Sequence, residues 1–528
     1  MLSSLLLTAF VAALCGLWLA SHLRAKVRPP LPPGPRGWPL VGNLFSSISR
    51  PWEPWMQWSR QYDSDIIYSN LAGTPVIVLS ALCATEALLE KRSAIYSDRP
   101  TALMAGELMG WNFLFGELPI HLSAISKRTH RRLFNQEVPL NATKHELRTS
   151  ARVAAHSLLR RLLNGPQGYR GHLNGFAGEI IISLTYGADT VVGEAPYLAL
   201  SQQAARIVTD ALVPGRFLVD LLPVLRYVPE WFPGAGFQTL AREGKKLAEM
   251  IREVPFTDTK RKMASIAQPC FTVNALLALD SSSSSSQSTF KSSPSSYYDE
   301  STVKNVAAMM YIAGVDPIAH TLVVFILAMV LNPQVLKKAQ GEVDVILEGK
   351  RGELPDFDDE EALPYAAAVV REVIRWRPVA PIGAPHRLST DDEYQGYHLP
   401  AGSLVFGNAW RKLYGSDPEA FKPERFLLAN STLNAAIPHP ETIVFGFGRR
   451  ICPGRHIAMS AIWIAVVSML ATFDISRCTD PQDKGEEPNE TAFGGGLHTP
   501  LPFKCSIVPR SAEAADLVRA TPAMYSSR

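Results

Sequence analysis

The apolar positions of the chain fall into a few long runs separated by proline-, glycine- or serine-rich breaks. Leu2 to Ala20 carries no charge and is built mostly from Leu, Ala, Val and Phe, close to the roughly twenty residues needed to cross a bilayer. Val306 to Leu331 and Ile457 to Leu470 are apolar nearly throughout and lack the alternation of a half-exposed strand, so both predict buried helices. Glu179 to Gly193 and Tyr197 to Val213 predict two more apolar-rich helices. Between Trp52 and Ile95 helix-like stretches mix with short strand-like runs such as Thr74 to Ser80, which predicts a small sheet near the N-terminus.

The breaks carry information of their own. Pro29 to Pro39 contains six prolines, whose missing N–H groups and ring clashes forbid a helix and favour a stiff extended arm. Pro214 to Phe237 combines prolines at 223, 229 and 233 with Phe217, Leu221, Leu222, Leu225, Tyr227, Trp231 and Phe232. Long helices are not expected there, and the segment reads either as an exposed apolar loop able to dip into a membrane surface or as a buried loop. Ser281 to Ser296 has almost no apolar content and predicts a disordered surface insertion. No internal repeat is visible. Three Asn-x-Thr triplets at Asn141, Asn430 and Asn489 are read as chance matches.

Charge and cysteine usage narrow the classes. A net charge of +3 over 528 residues gives no support to nucleic-acid binding. The six cysteines are scattered without a CxxC pair, so they form neither a disulfide framework nor a zinc site, and a reducing, cytosol-facing location fits them. Arg24, Lys26 and Arg28 follow the N-terminal apolar run and no basic residue precedes it. The positive-inside tendency then leaves the body in the cytosol behind an uncleaved single-pass anchor, rather than a cleaved signal peptide.

The candidate chemistry lies at Phe445-Gly446-Phe447-Gly448-Arg449-Arg450-Ile451-Cys452-Pro453-Gly454. Cys452 stands in a glycine-rich turn just ahead of an apolar helix, where the helix N-terminus favours a thiolate. Arg450, two residues earlier, is placed to meet an anionic group. The pattern Phe-x-x-Gly-x-Arg-x-Cys-x-Gly is filled at every fixed position and resembles the haem-ligand loop of the cytochrome P450 family. The resemblance implies haem (iron-protoporphyrin IX) held by an axial Cys452 thiolate, a ligand that favours O–O cleavage. It also implies a propionate contact from Arg450, with Phe445 and Gly446 in the cofactor-binding loop.

Other motifs follow in the order of that family. Ala313-Gly314-Val315-Asp316-Pro317 resembles its Ala-Gly-x-Asp/Glu-Thr, a small-residue pair leaving room for a ligand. Here Pro317 replaces the threonine whose hydroxyl helps deliver protons to bound dioxygen, so Asp316 and Thr321 are the catalytic candidates, with His320 beside Thr321. Lys127-Arg128-Thr129-His130-Arg131-Arg132 stands where the family has Trp-Arg-x-x-Arg; Lys127 departs from it and Arg128 takes the cofactor-binding position. The approach over Glu117 to Ser126 departs as well. Glu372-x-x-Arg375 and Arg425 match a fold-locking Glu-Arg-Arg network, and His386 or Arg387 occupies a propionate-contact position. Met104 to Phe115 stands where the family lines its substrate pocket; plain core packing is the alternative.

The resemblance therefore implies a mainly α fold with a small β-rich subdomain, the cytochrome P450 fold with an N-terminal transmembrane helix. The expected layout is an anchor over 1–22, a basic proline-rich hinge over 23–43, a catalytic domain over 44–509 interrupted by the 281–296 insertion, and a tail over 510–528. The implied activity is monooxygenation of a small apolar substrate by O2. Electrons would come from NADPH through NADPH-cytochrome P450 reductase at the endoplasmic reticulum membrane, as in fungal microsomal members serving secondary metabolism or oxidising aromatic and steroid-like xenobiotics. Two other classes stay open: a haem-thiolate isomerase or dehydratase that rearranges a peroxide without a reductase, and a non-catalytic haem-binding protein.

Overall fold

The structure, a computed structural model, describes residues 29–38, 42–43, 52–114, 124–138, 144–187, 194–213, 215–265, 270–284, 298–350, 352–408, 417–478, 486–494 and 497–522. The expected anchor, part of the hinge and most of the Glu117 to Ser126 departure lie outside these residues. The described chain is mainly helical with small sheets and divides into two units. One holds the described residues up to Asp98 and those from Pro385 to Ala409; the other holds the rest.

The first unit carries the sheet expected near the N-terminus. Ile66–Leu71 pairs antiparallel with Thr74–Leu79 through Ala72 and Gly73, both at positive φ (47° and 92°), the backbone that a tight hairpin turn requires. Thr74–Leu79 then pairs in parallel with Leu404–Gly407, which carries His386–Arg387 on its other side. Two strands of this sheet thus come from a segment some three hundred residues downstream, which no local pattern announces. Val76, Ile77, Val78 and Leu79 are fully buried, and Trp55 packs on Phe406 with ring centroids 4.8 Å apart.

The second unit is built around the helix Glu300–Leu331, hereafter the central helix, started by Asp299, whose carboxylate accepts from the Thr302 backbone N–H. It runs unbroken through Pro317, and its neighbours cover nearly every side. Tyr169–Tyr186, Ala124–Glu137, Glu194–Ala211 and Arg455–Thr472 all pack against it. The apolar run Ile457 to Leu470 is buried along the last of these, as expected. Among the described residues from Gly215 to Ala235 the helical pieces are short, Leu218–Leu221 and Pro223–Tyr227, and the long helix Gly236–Lys262 follows. The serine tract behaves differently from expectation at its start: Ser281 to Ser284 continue the helix Phe271–Ser284, and the remainder lies outside the described residues.

One buried polar network holds the helix Pro364–Trp376 to the segment that follows Asp417. Arg375 donates from Nε and Nη2 to both oxygens of Glu372, at 2.6 and 2.9 Å, with both side chains fully buried. Arg425 Nε reaches the same carboxylate at 3.1 Å, and the Lys422 backbone N–H at 2.6 Å. Arg375 also donates to the carbonyls of Pro418 and Ala420. One carboxylate thus accepts from two guanidinium groups, and its oxygens and the Arg375 fork are occupied by partners, which makes the buried pair tolerable.

Candidate active site

The cysteine loop is a closed turn. The Cys452 backbone N–H donates to the Phe445 carbonyl at 2.7 Å, and Gly446 and Gly448 take φ of 79° and 53°, which suits glycine and strains other residues. Phe447 is buried beneath the turn, while Phe445 and Gly446 are half-buried. Gly454 precedes the first turn of the helix Arg455–Thr472, so Cys452 sits just ahead of a helix N-terminus. Burial pushes the Cys452 thiol up; the Gly454 N–H and the charges of Arg131 and Arg455 act in the opposite direction. Coordination to a metal would remove the proton altogether.

Arg131 is the residue that the motif reading undervalued. It extends from the helix Ala124–Glu137 and donates to the carbonyls of Arg449 (2.9 Å) and Ile451 (2.6 Å), clasping the loop on either side of Arg450. Burial lowers its pKa and the neighbouring Cys452 raises it. Arg128, the position that the motif alignment favoured, is exposed on the same helix, as is Arg132. The sequence held a signal for this. His130, Leu133 and Phe134 mark the buried side of that helix, and helical spacing sets Arg131 at its border and Arg128 and Arg132 opposite. Arg450 is half-buried within the turn.

The central helix presents one uncovered strip. Ala313 is exposed in the middle of this otherwise buried helix, and Asp316, Pro317, His320 and Thr321 are half-buried. Gly314, expected to make room for a ligand, instead makes room for a neighbour: a Cβ there would stand 2.6 Å from Ile181 Cδ1. The Thr321 hydroxyl donates to the Pro317 carbonyl at 2.8 Å, so its proton is held within the helix. Burial raises the Asp316 carboxyl to about 6 against the nearby Arg206 charge, and keeps His320 neutral down to about 4.

His386 and Arg387 belong to the first unit. They lie on a strand, and a ring nitrogen of the buried His386 meets the Tyr96 carbonyl at 2.7 Å. Met104, Met109, Trp111, Phe113 and Leu114 are buried in the core of the second unit.

A cysteine ahead of a helix, ringed by arginines and set in the unit that carries an uncovered helix face, has the make-up of a haem-thiolate site. The cytochrome P450 family model matches residues 32–506. Curated relatives agree along nearly the whole chain. A cytochrome P450 monooxygenase of Postia placenta is 40% identical, covering 94% of this chain and 93% of its own. Another, of Armillaria gallica, is 38% identical over 96% and 97%, and the tryptamine 4-monooxygenase of Psilocybe cyanescens is 35% identical over 96% and 98%. The chain belongs to the cytochrome P450 family. It is an oxidoreductase, a haem-thiolate monooxygenase, and the non-catalytic reading is set aside.

Proposed function

We propose that Cys452 supplies the thiolate to haem iron and that the protein uses it to insert one atom of O2 into a small apolar substrate. The observation that carries this reading is the cysteine loop: a turn pinned by the Phe445 carbonyl and by Arg131, with the Arg131 and Arg455 charges opposing the burial that raises the Cys452 thiol. The residues suit the group, because the thiol is only partly covered and the central helix leaves one face unpacked. When bound, haem supplies the iron at which O2 is activated. Arg450 and Arg131 would neutralise propionates, and Phe445 and Gly446 would shape the bed of the ring. Sequence order alone keeps Arg128, His386 and Arg387 as further propionate contacts. Asp316 and Thr321 would serve proton supply, the latter only as an acceptor while its own O–H donates to the Pro317 carbonyl.

Electrons would come from NADPH through a separate NADPH-cytochrome P450 reductase. Exposed Arg132 and Arg449 on the two elements that Arg131 joins offer a basic face for such a partner. The body would sit on the cytosolic side of the endoplasmic reticulum membrane, held by the anchor over 1–22. Support comes from Val224, Tyr227 and Trp231, which are 69%, 72% and 80% exposed in one loop, a patch that a lipid surface would cover. Substrates of the secondary-metabolite, aromatic or steroid-like kind suit an enzyme whose relatives include one named for a tryptamine.

The test is an absorption spectrum of dithionite-reduced protein with carbon monoxide, beside Cys452→Ala. A red-shifted Soret band in the wild type alone is the expected result. Its absence from folded wild-type protein would overturn the reading. Turnover that needs the reductase and O2 would exclude peroxide rearrangement.

A further inference from the structure

The stretch from Arg510 onward, expected to be a tail outside the catalytic domain, is packed into the second unit. The helix Ala512–Ala520 is started by Ser511, whose hydroxyl accepts from the Ala514 backbone N–H at 3.1 Å. Ala515 and Val518, three positions apart and so on one face, are both buried. The helix packs on Lys144–Asn164 and on Arg455–Thr472, and Val518 belongs to the same apolar core as the central helix.

Both ends of the segment are tied down. At its start the Arg510 guanidinium donates to both oxygens of Asp344, on the helix Pro333–Gly349, at 2.7 and 2.6 Å. It also donates to the carbonyls of Leu470 and Ala471, each at 3.3 Å, and the Arg510 backbone N–H donates to the Thr472 carbonyl at 3.0 Å. Those three carbonyls close the helix Arg455–Thr472, in the turn where helical donors run out, so Arg510 caps it. At the other end Arg160, on Lys144–Asn164, donates from Nη1 to the Thr521 hydroxyl at 2.6 Å. The same nitrogen donates to the carbonyls of Pro522 and Thr521 at 2.8 and 3.0 Å. These oxygens stand at the negative end of the helix dipole. The two fastenings are unequal. Arg510 has a carboxylate and a helix end, whereas one nitrogen of Arg160 is shared among three uncharged oxygens, beside an exposed Pro522.

We propose that residues 510–522 form a strap that fixes the far end of the helix Arg455–Thr472, with Arg160 as the catch that holds the strap shut. That helix is then held at both ends. Arg131 clasps the cysteine loop that precedes it, and the strap caps its last turn and ties it to Lys144–Asn164. A helix is a stiff rod, so freeing one end lets it shift along its length and carry the loop with it. Opening begins at the weaker fastening, Arg160, and peels the strap back towards Arg510 as one local unit. It uncovers Val518 and Ala515, which makes the shut form the resting one. The effect on haem retention rests on the haem-thiolate reading above; the strap itself does not.

The test is amide hydrogen exchange read by mass spectrometry on the full-length holoprotein. Arg160→Ala should speed exchange over 512–520, and over the last turn of Arg455–Thr472, on the order of tenfold, while the central helix exchanges as in the wild type. Haem transfer to an acceptor should quicken in the same variant. Arg160→Lys should recover most of the protection, because all three contacts come from one nitrogen and an ammonium has three donors. Arg519→Ala, on the exposed side of the same helix, should change neither reading. Should Arg160→Ala fail to fold, Thr521→Val removes only the hydroxyl contact and carries the same comparison with a smaller expected effect. Unchanged exchange over 512–520 would overturn the role of Arg160 as catch. Faster exchange confined to 512–520, with the last turn of Arg455–Thr472 and haem transfer as in the wild type, would overturn the strap. Exchange is read on the polypeptide, so a wild type lacking the red-shifted Soret band would overturn the haem-thiolate reading alone.

Discussion

Arg131 donates to the carbonyl of Ile451 at 2.6 Å, and the next residue along the chain is the cysteine. Its second bond, to Arg449, makes the side chain a clamp across the turn. Arg131→Ala leaves two carbonyls of a partly buried loop without a donor and removes a positive charge beside Cys452. The expected cost is about 2–4 kcal/mol. Holoprotein should lose haem faster on transfer to a haem acceptor, followed by the Soret absorbance. Arg131→Lys should restore little, since an ammonium cannot reproduce the fork. Arg128→Ala should stay within about 0.5 kcal/mol of wild type.

Glu372→Ala removes the one carboxylate shared by Arg375 and Arg425. Arg375 is fully buried and would lose both of its bonds to that carboxylate. A loss of about 3–5 kcal/mol is expected, seen in urea unfolding followed by tryptophan fluorescence. Equal stability of variant and wild type would remove the network from the list of what holds this fold.

Asp316 gives the fold a pH dependence of known sign. Its carboxyl sits at about 6 in the folded protein against 3.8 ordinarily, so the folded state binds the proton more tightly than the unfolded chain. The stability it contributes is greatest at low pH and is lost as pH rises through about 6. Asp316→Asn should therefore raise stability at pH 7.5, by about 1–3 kcal/mol, with the gain shrinking towards pH 5. Thermal melts of both proteins at the two pH values check this.

Trp231 and Phe232 are 80% and 51% exposed in the proline-rich loop. In a chain beginning at residue 29, replacing both with serine should lower binding to phosphatidylcholine vesicles by roughly tenfold or more, given about 1.5–3 kcal/mol per buried aromatic side chain. Val345→Ser, at a site 68% exposed on another helix, should leave binding unchanged. Vesicle co-sedimentation makes the comparison.

Much of the site was legible because its chemistry is local. The glycines at 446 and 448, the arginine at 450 and the cysteine at 452 need fixed spacing along one turn, and the helix that follows announces itself by apolar content alone. Glu372 and Arg375 share one helix face and were readable for the same reason. Arg131 was harder, because its importance depends on which side of its helix meets the loop 320 residues away. Gly314 was misjudged on similar grounds. Whether a glycine receives a ligand or a neighbouring side chain is a matter of packing, and Ile181 fills the space here.

By itself, then, the sequence determined the family, the cysteine loop, the buried helices and the absence of a hydroxyl at position 317, since each follows from residue type at short range. The tertiary structure decided which arginine clamps the loop, which face of the central helix is left uncovered, and that Thr321 bonds to its own helix while Asp316 and His320 bond to nothing described. Those outcomes depend on burial and on partners brought together from distant parts of the chain, and burial is a property of the packed molecule rather than of any one stretch of it.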